Sequence, residues 1–208
     1  MMKRNHKITD LLTLASIFFV SSTIFLTQST FSASSAPAIG STIRDFKLLD
    51  LGGKETSLNS MRGSKGTVLI FIATECPVSN GYNERMEKIA QEYRSRGINV
   101  IGINANASDP AEKVKQHAAE HKLTFPIFKD AGNKVADLLG AQVTPESYVL
   151  DDNNRLLYHG RIDNSREESK VVSSETREAL EALLAGKPVA RTQARAFGCT
   201  IQRVGGSS

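Results

Sequence analysis

The chain reads as an α/β protein, a mixed central sheet with helices on both faces and a β-hairpin at its N-terminal end. Three features of the sequence predict it. Thr67 to Ile72 and Ile98 to Ile103 are short apolar runs rich in β-branched residues, the composition of interior strands covered on both faces. Between them Tyr82, Met86, Ile89, Ala90 and Tyr93 recur at helical spacing as one apolar stripe. Strand, helix, strand in that order is a βαβ unit, which implies a parallel pair with a right-handed crossover. Further on, Ala141 to Leu150 and Arg155 to Ile162 flank the turn Asp151 to Asn154, the pattern of an antiparallel hairpin.

The remaining elements follow in order. Ile43, Phe46, Leu48 and Leu49 give a strand signal, Gly52-Gly53 a turn, and Thr56 to Leu58 a short returning strand. Together they form a hairpin laid on the domain. Met61 to Gly66 is a polar loop. Gly97 ends the first helix. The next helix opens at Asp109-Pro110-Ala111-Glu112, with Asp109 as N-cap and Pro110 at the first helical position. Its inner side is Ala111, Val114, Ala118 and His121. Phe125 to Phe128 is a short apolar piece, and Lys134 to Leu139 a short helix closed by Gly140. A last helix runs from Ser174 to Ala185, capped by Ser173 or Ser174, with Ala179, Leu180, Leu183 and Leu184 as its stripe. From Lys187 on the chain is polar and irregular.

With 208 residues there is room for one well-buried domain, and two would be cramped. We divide the chain into a leader over residues 1–36, a domain over 39–186 and a tail over 187–208. The net charge of +4 is small, and Lys3, Arg4 and Lys7 lie in the leader. The basic excess beyond them is slight and unclustered, which gives no case for nucleic-acid binding. The leader itself has a basic start, an apolar run from Leu11 to Leu26 and a small-residue stretch from Ser32 to Ala38, the pattern of an export signal with several possible cleavage points. Ser21, Ser22 and Thr23 interrupt the apolar run and leave it short for a membrane span. Removal is the favoured reading and a retained anchor the other. Either way the domain lies outside the cytoplasm, periplasmic or extracellular.

The two cysteines, Cys76 and Cys199, both fall in the exported part. Two are too few for a disulfide-stapled scaffold, so the fold must rest on its core. Cys76 stands where the central strand becomes a helix, with Pro77 after it. A cysteine there faces the positive end of the helix dipole and unpaired N–H groups, both of which favour thiolate. The alternative is a buried structural thiol.

Several blocks, DFKLLDLGGKETSLNS, VLIFIATECPVSNGYNERM, VTPESYVLD, YHGRIDN and FGCTIQR, resemble the thioredoxin-like superfamily and, within it, the redoxin or AhpC/TSA (peroxiredoxin-like) family. The resemblance runs from Ile39 to Arg203 and implies a thioredoxin-like fold and a thiol-dependent oxidoreductase or antioxidant peroxidase without cofactor or metal. It gives Cys76 the nucleophile's place. It gives Thr144-Pro145 the place of the family's cis-proline, which lies against that cysteine and presents backbone to a thiol partner. The departures are specific. Ser79 replaces the second cysteine of Cys-x-x-Cys, Ala73 stands where peroxiredoxins carry a peroxide-aligning Thr, with Thr74 one residue too close, and Glu75 replaces the thioredoxin tryptophan.

On this reading Cys76 attacks peroxide or a disulfide and Cys199, from the same chain or a neighbouring subunit, resolves the product; an external thiol reductant restores both. Pro77, Ser79, Thr144 and Pro145 position the reactants, with Ser79 either bonding the Cys76 thiolate across one turn or standing as a solvated first-turn serine. The rival reading is a non-catalytic binding or structural module, with a permanent Cys76–Cys199 disulfide or a weak soft-metal site. His117, His121 and His159 form no ligand set by spacing; His117 and His121 share a helix face, which a metal could bridge with a third ligand, and read instead as surface residues. Asn106-Ala107-Ser108 matches the glycosylation sequon.

Overall fold

The computed structural model describes residues 36–205, so all of the expected leader except Ala36 lies outside the described residues. In chain order the elements are β1 (Lys47–Asp50), β2 (Glu55–Ser57), α1 (Leu58–Met61), β3 (Gly66–Ile72), α2 (Pro77–Asn80), α3 (Asn83–Arg94), β4 (Ile98–Asn104), α4 (Ala111–Glu120), β5 (Ile127–Lys129), α5 (Lys134–Leu139), β6 (Val143–Thr144), β7 (Glu146–Asp151), β8 (Leu156–Gly160), α6 (Glu175–Leu184), β9 (Gln193–Ala194) and β10 (Cys199–Thr200). Among the described residues the main sheet has the order β2-β1-β5-β4-β3-β7-β8-β9, and β10 pairs β6 in a separate two-stranded ladder.

β3 is the axis of the sheet. It runs parallel to β4 and antiparallel to β7, which makes the sheet mixed. Every residue of β3 is buried, and its side chains alternate between the two faces as strand geometry requires. Leu69 and Phe71 join a core with Leu58 and Met61 of α1 and Val135, Ala136 and Leu139 of α5. Val68, Ile70 and Ile72 join the opposite core, with Met86, Ile89 and Tyr93 of α3, Val114 of α4 and Ala179 and Leu180 of α6. The expected stripe on the first helix is buried throughout.

The structure corrects several boundaries. The N-terminal hairpin does not lie on the domain; β1 pairs β5 and extends the sheet. The returning strand stops at Ser57, whose hydroxyl accepts the Ser60 N–H and starts α1 at Leu58. The helix after Cys76 is two helices, α2 and α3, broken at Gly81-Tyr82. Asp109 caps nothing: Pro110 holds the N-cap position of α4 and Asp109 turns inward. On α4 Val114 and His117 are buried and Ala118 packs against the same core, while His121 is exposed. Ser174 sits at the N-cap of α6 but makes no side-chain capping bond; its own N–H donates to Glu178 Oε1 at 3.1 Å. The tail is not irregular throughout. β9 runs parallel to β8 at the sheet edge, β10 pairs β6, and Ile201 is buried in the core shared with α1 and α5.

Candidate active site

Cys76 is the N-cap of α2, with Pro77 following at the first helical position. Its backbone is extended and its Sγ accepts the Ser79 N–H at 3.3 Å, which satisfies one of the orphan donors of the helix start. Ser79 therefore reaches the sulfur through its main chain. Its hydroxyl is elsewhere, accepting the Ala73 N–H at 3.2 Å, so the expected side-chain bond to Cys76 is replaced by a tether on the end of β3.

Across from this turn, the Thr144–Pro145 peptide bond is cis, as the resemblance implied. The Thr144 carbonyl oxygen lies 3.4 Å from Cys76 Sγ. β10 lies antiparallel to β6 with Cys199 opposite Thr144. That register brings Cys199 onto Cys76 in the same chain, and the two form a disulfide with Cα atoms 5.8 Å apart, within the usual range. A disulfide sulfur carries no proton, so the approach of Thr144 O is a contact; the reduced thiol can donate to it. Of the six candidate residues, Cys76, Ser79, Thr144 and Cys199 meet directly, Pro77 opens the helix and Pro145 sets the turn.

The ladder that carries Cys199 is held from both ends. Glu146 accepts the N–H groups of Gln142 and Val143 on one carboxylate oxygen and the Tyr148 hydroxyl on the other, which fixes the strand before Pro145. Ahead of Cys199, the Phe197 ring packs edge-on against Tyr82 with centroids 6.3 Å apart. Tyr82 in turn donates to Asp163, which forms a buried 2.7 Å ion pair with Arg85. Behind Cys199, the Ile201 N–H donates to Gln142 O and its side chain enters the core. The Gln202 N–H donates to Asn106 Oδ1 at 2.9 Å, and Arg203 pairs Asp137 at 3.0 Å. Asn106 is buried, so the sequon side chain does not project from the surface of the folded chain.

Beneath the Cys76 turn is a polar cluster that sequence reasoning did not find. Asp109, 1% exposed, accepts the Thr74 N–H at 3.1 Å, the Thr74 hydroxyl at 2.7 Å and the Asn104 amide at 2.8 Å. Burial pushes the Asp109 carboxyl up, but the bonds from Asn104 and Thr74, with Lys113 nearby, hold it below the usual value. Thr74 is thus committed away from the sulfur. Lys129 Nζ donates to Asn104 Oδ1, Asn106 O and Asp109 O, and burial pulls its pKa down. An Asp-Pro pair before a helical stripe reads first as a cap, and no local signal marks it as a buried acceptor. Glu75 is exposed and ion-pairs with Lys113.

Replacing Asp109 by alanine leaves three buried donors without an acceptor, and we expect it to cost about 3 kcal/mol or more in urea unfolding at pH 7. The folded carboxyl is held below its unfolded value, so its contribution is complete above the ordinary 3.8 and is lost as pH falls through the folded value. The gap between wild type and Asp109→Ala must therefore narrow only below about pH 4. A gap that closes near neutrality contradicts the assignment.

Of the two histidines read as surface residues, His121 is exposed and His117 is not. His117 is buried beside Asn83, its Nε2 3.2 Å from the Asn83 amide nitrogen, and burial lowers its pKa. His159 is partly buried and stacks on Tyr148 at 5.6 Å. Among the described residues no group of His, Cys, Asp and Glu is arranged to hold a metal ion.

With this geometry in hand, the chain can be set beside known proteins. The AhpC/TSA family profile matches residues 39–159. The thiol-disulfide oxidoreductase ResA of Geobacillus thermodenitrificans is 32% identical over 146 residues, 70% of this chain and 79% of the relative. The crystal structure of a hypothetical protein from Sinorhizobium meliloti 1021 superposes with a TM-score of 0.75 at 32% identity, over 83% of this chain and 98% of that one. The peroxidoxin BcpB of Mycobacterium tuberculosis shares the fold at a TM-score of 0.52 and 23% identity, over 71% of this chain and 94% of that one.

Proposed function

This chain belongs to the AhpC/TSA family, and we propose that it is an exported thiol-disulfide oxidoreductase in which Cys76 is the nucleophile and Cys199 its resolving partner. The observation that carries the reading is the Cys76–Cys199 disulfide itself, formed across 123 residues at the N-terminus of a helix. In the reduced protein the Ser79 N–H and the start of α2 stabilise a Cys76 thiolate. That thiolate attacks one sulfur of a substrate disulfide, whose other sulfur leaves as thiolate. Cys199 then attacks Cys76 Sγ, the substrate leaves as its second thiol, and the Cys76–Cys199 bond closes. With peroxide the first step instead breaks the O–O bond, leaves sulfenic acid on Cys76 and releases an alcohol or water; Cys199 closes the disulfide and expels water.

Two observations favour the disulfide substrate. The Geobacillus thermodenitrificans relative is a thiol-disulfide oxidoreductase, ResA. The hydroxyl nearest the nucleophile in sequence, on Thr74, is bonded to Asp109, and Ala73 has none to offer a peroxide. An external thiol donor returns both cysteines to the reduced state. The leader pattern supports export, and no helix among the described residues is long and apolar enough to cross a membrane.

Stopped-flow mixing of the reduced protein with a small aromatic disulfide, and separately with hydrogen peroxide, tests this. We expect rapid reaction with the disulfide, a trapped mixed disulfide on Cys76 in Cys199→Ser, and no reaction in Cys76→Ser. Rates no greater than those of a free thiol with both reagents sink the enzyme reading. So does a Cys76–Cys199 bond that resists every physiological thiol, which leaves a structural module.

A further inference from the structure

The segments bearing Cys76 and Cys199 are tied to one buried centre. On the Cys76 side, the Thr74 N–H and hydroxyl bond to Asp109, which also accepts the Asn104 amide. On the Cys199 side, the Gln202 N–H bonds to Asn106 Oδ1, and the Ala107 N–H returns a bond to Gln202 O. Lys129 joins the halves. Its ammonium donates to Asn104 Oδ1 at 2.5 Å, Asp109 O at 2.5 Å and Asn106 O at 3.0 Å. Bonds from a charged donor to buried oxygens are stronger than neutral ones, and the three acceptors use the full capacity of an ammonium group. None of these polar residues belongs to either apolar cluster.

We propose that Lys129 and Asn106 are positioning residues for the redox pair, setting how strongly the two thiols are held together and so how readily the disulfide closes and opens. This rests on the reading that the Cys76–Cys199 pair cycles. A pair held in register closes at a high effective concentration, and loosening either segment lowers it. The Asn106 side chain binds the tail at Gln202, Thr74 and Asp109 hold the nucleophile's loop, and Lys129 bonds to both groups.

The test is equilibration in glutathione and glutathione disulfide. Two glutathione thiols give two electrons and two protons to the Cys76–Cys199 bond and leave as glutathione disulfide, so the oxidised fraction read by mass spectrometry gives the effective concentration directly. We expect Lys129→Gln and Asn106→Ala each to lower it at least tenfold. Asn106→Asp, which keeps the acceptor for Gln202, should stay near wild type. Circular dichroism of the reduced proteins checks that the fold is retained. If Lys129→Gln does not fold, Asn106→Ala carries the test, because it leaves the Thr74–Asp109–Asn104 bonds in place. Folded variants that titrate with wild type overturn the proposal. A wild type that stays oxidised at every ratio overturns the functional reading instead.

Discussion

Gly198→Ala will leave both cysteines as free thiols under conditions that oxidise the wild type. A Cβ at Gly198 would stand 1.9 Å from Thr144 O and 2.6 Å from the Thr144 carbonyl carbon. Both are backbone atoms, so no side chain can swing aside. The chain must open the β10–β6 ladder, and Cys199 is the residue of that ladder opposite Thr144. The Thr144 carbonyl cannot retreat towards the nucleophile either, since it already lies 3.4 Å from Cys76 Sγ. Overpacking of this kind costs about 1–3 kcal/mol, so the effective concentration of the two thiols should fall roughly tenfold to a hundredfold. Glutathione titration reads that loss. Hydrogen exchange at the Ile201 amide, which donates to Gln142 O, reads the opening of the ladder separately. An alanine variant that oxidises like wild type with Ile201 still protected refutes the close-packing account.

That glycine shows where the sequence was legible and where it was not. β3, α3, β4 and the β7–β8 hairpin were readable because each repeats one spacing over several residues, and burial of the periodic face dominates their energetics. The Cys76 turn was readable because strand, cysteine, proline and stripe are adjacent. β10 has two residues and no periodicity, and its partners in β6 lie 55 and 57 positions earlier in the chain. Its stability comes from contacts that only the fold creates: Phe197 on Tyr82, Ile201 in the core, Gln202 on Asn106. Asp109 was misread for a related reason. A carboxylate before a helix has a local use as a cap, and the non-local one, three donors from β3's loop and β4, outweighs it. Ser79 was half legible: the spacing to Cys76 was right, but the N–H rather than the hydroxyl makes the bond.

Reducing the disulfide will lower the melting temperature by roughly 10–20 °C. The bond joins residues 123 apart, and closing a loop of that length restricts the unfolded chain by about 5 kcal/mol in the chain-entropy description. For a domain of this size each kcal/mol shifts the transition by about 2–4 °C. The native state demands no rearrangement to form the bond, because Phe197 and Ile201 hold β10 beside Cys76 with or without it. Cys199→Ser should melt with the reduced wild type and show no dependence on added reductant. Equal melting of oxidised and reduced wild type refutes the argument. The same free energy has a second face by linkage: whatever the disulfide adds to the fold, the fold adds to the disulfide. About 5 kcal/mol corresponds to between three and four powers of ten in the thiol–disulfide equilibrium. The melting difference therefore forecasts how reducing a glutathione mixture must be to reopen the bond and complete the cycle.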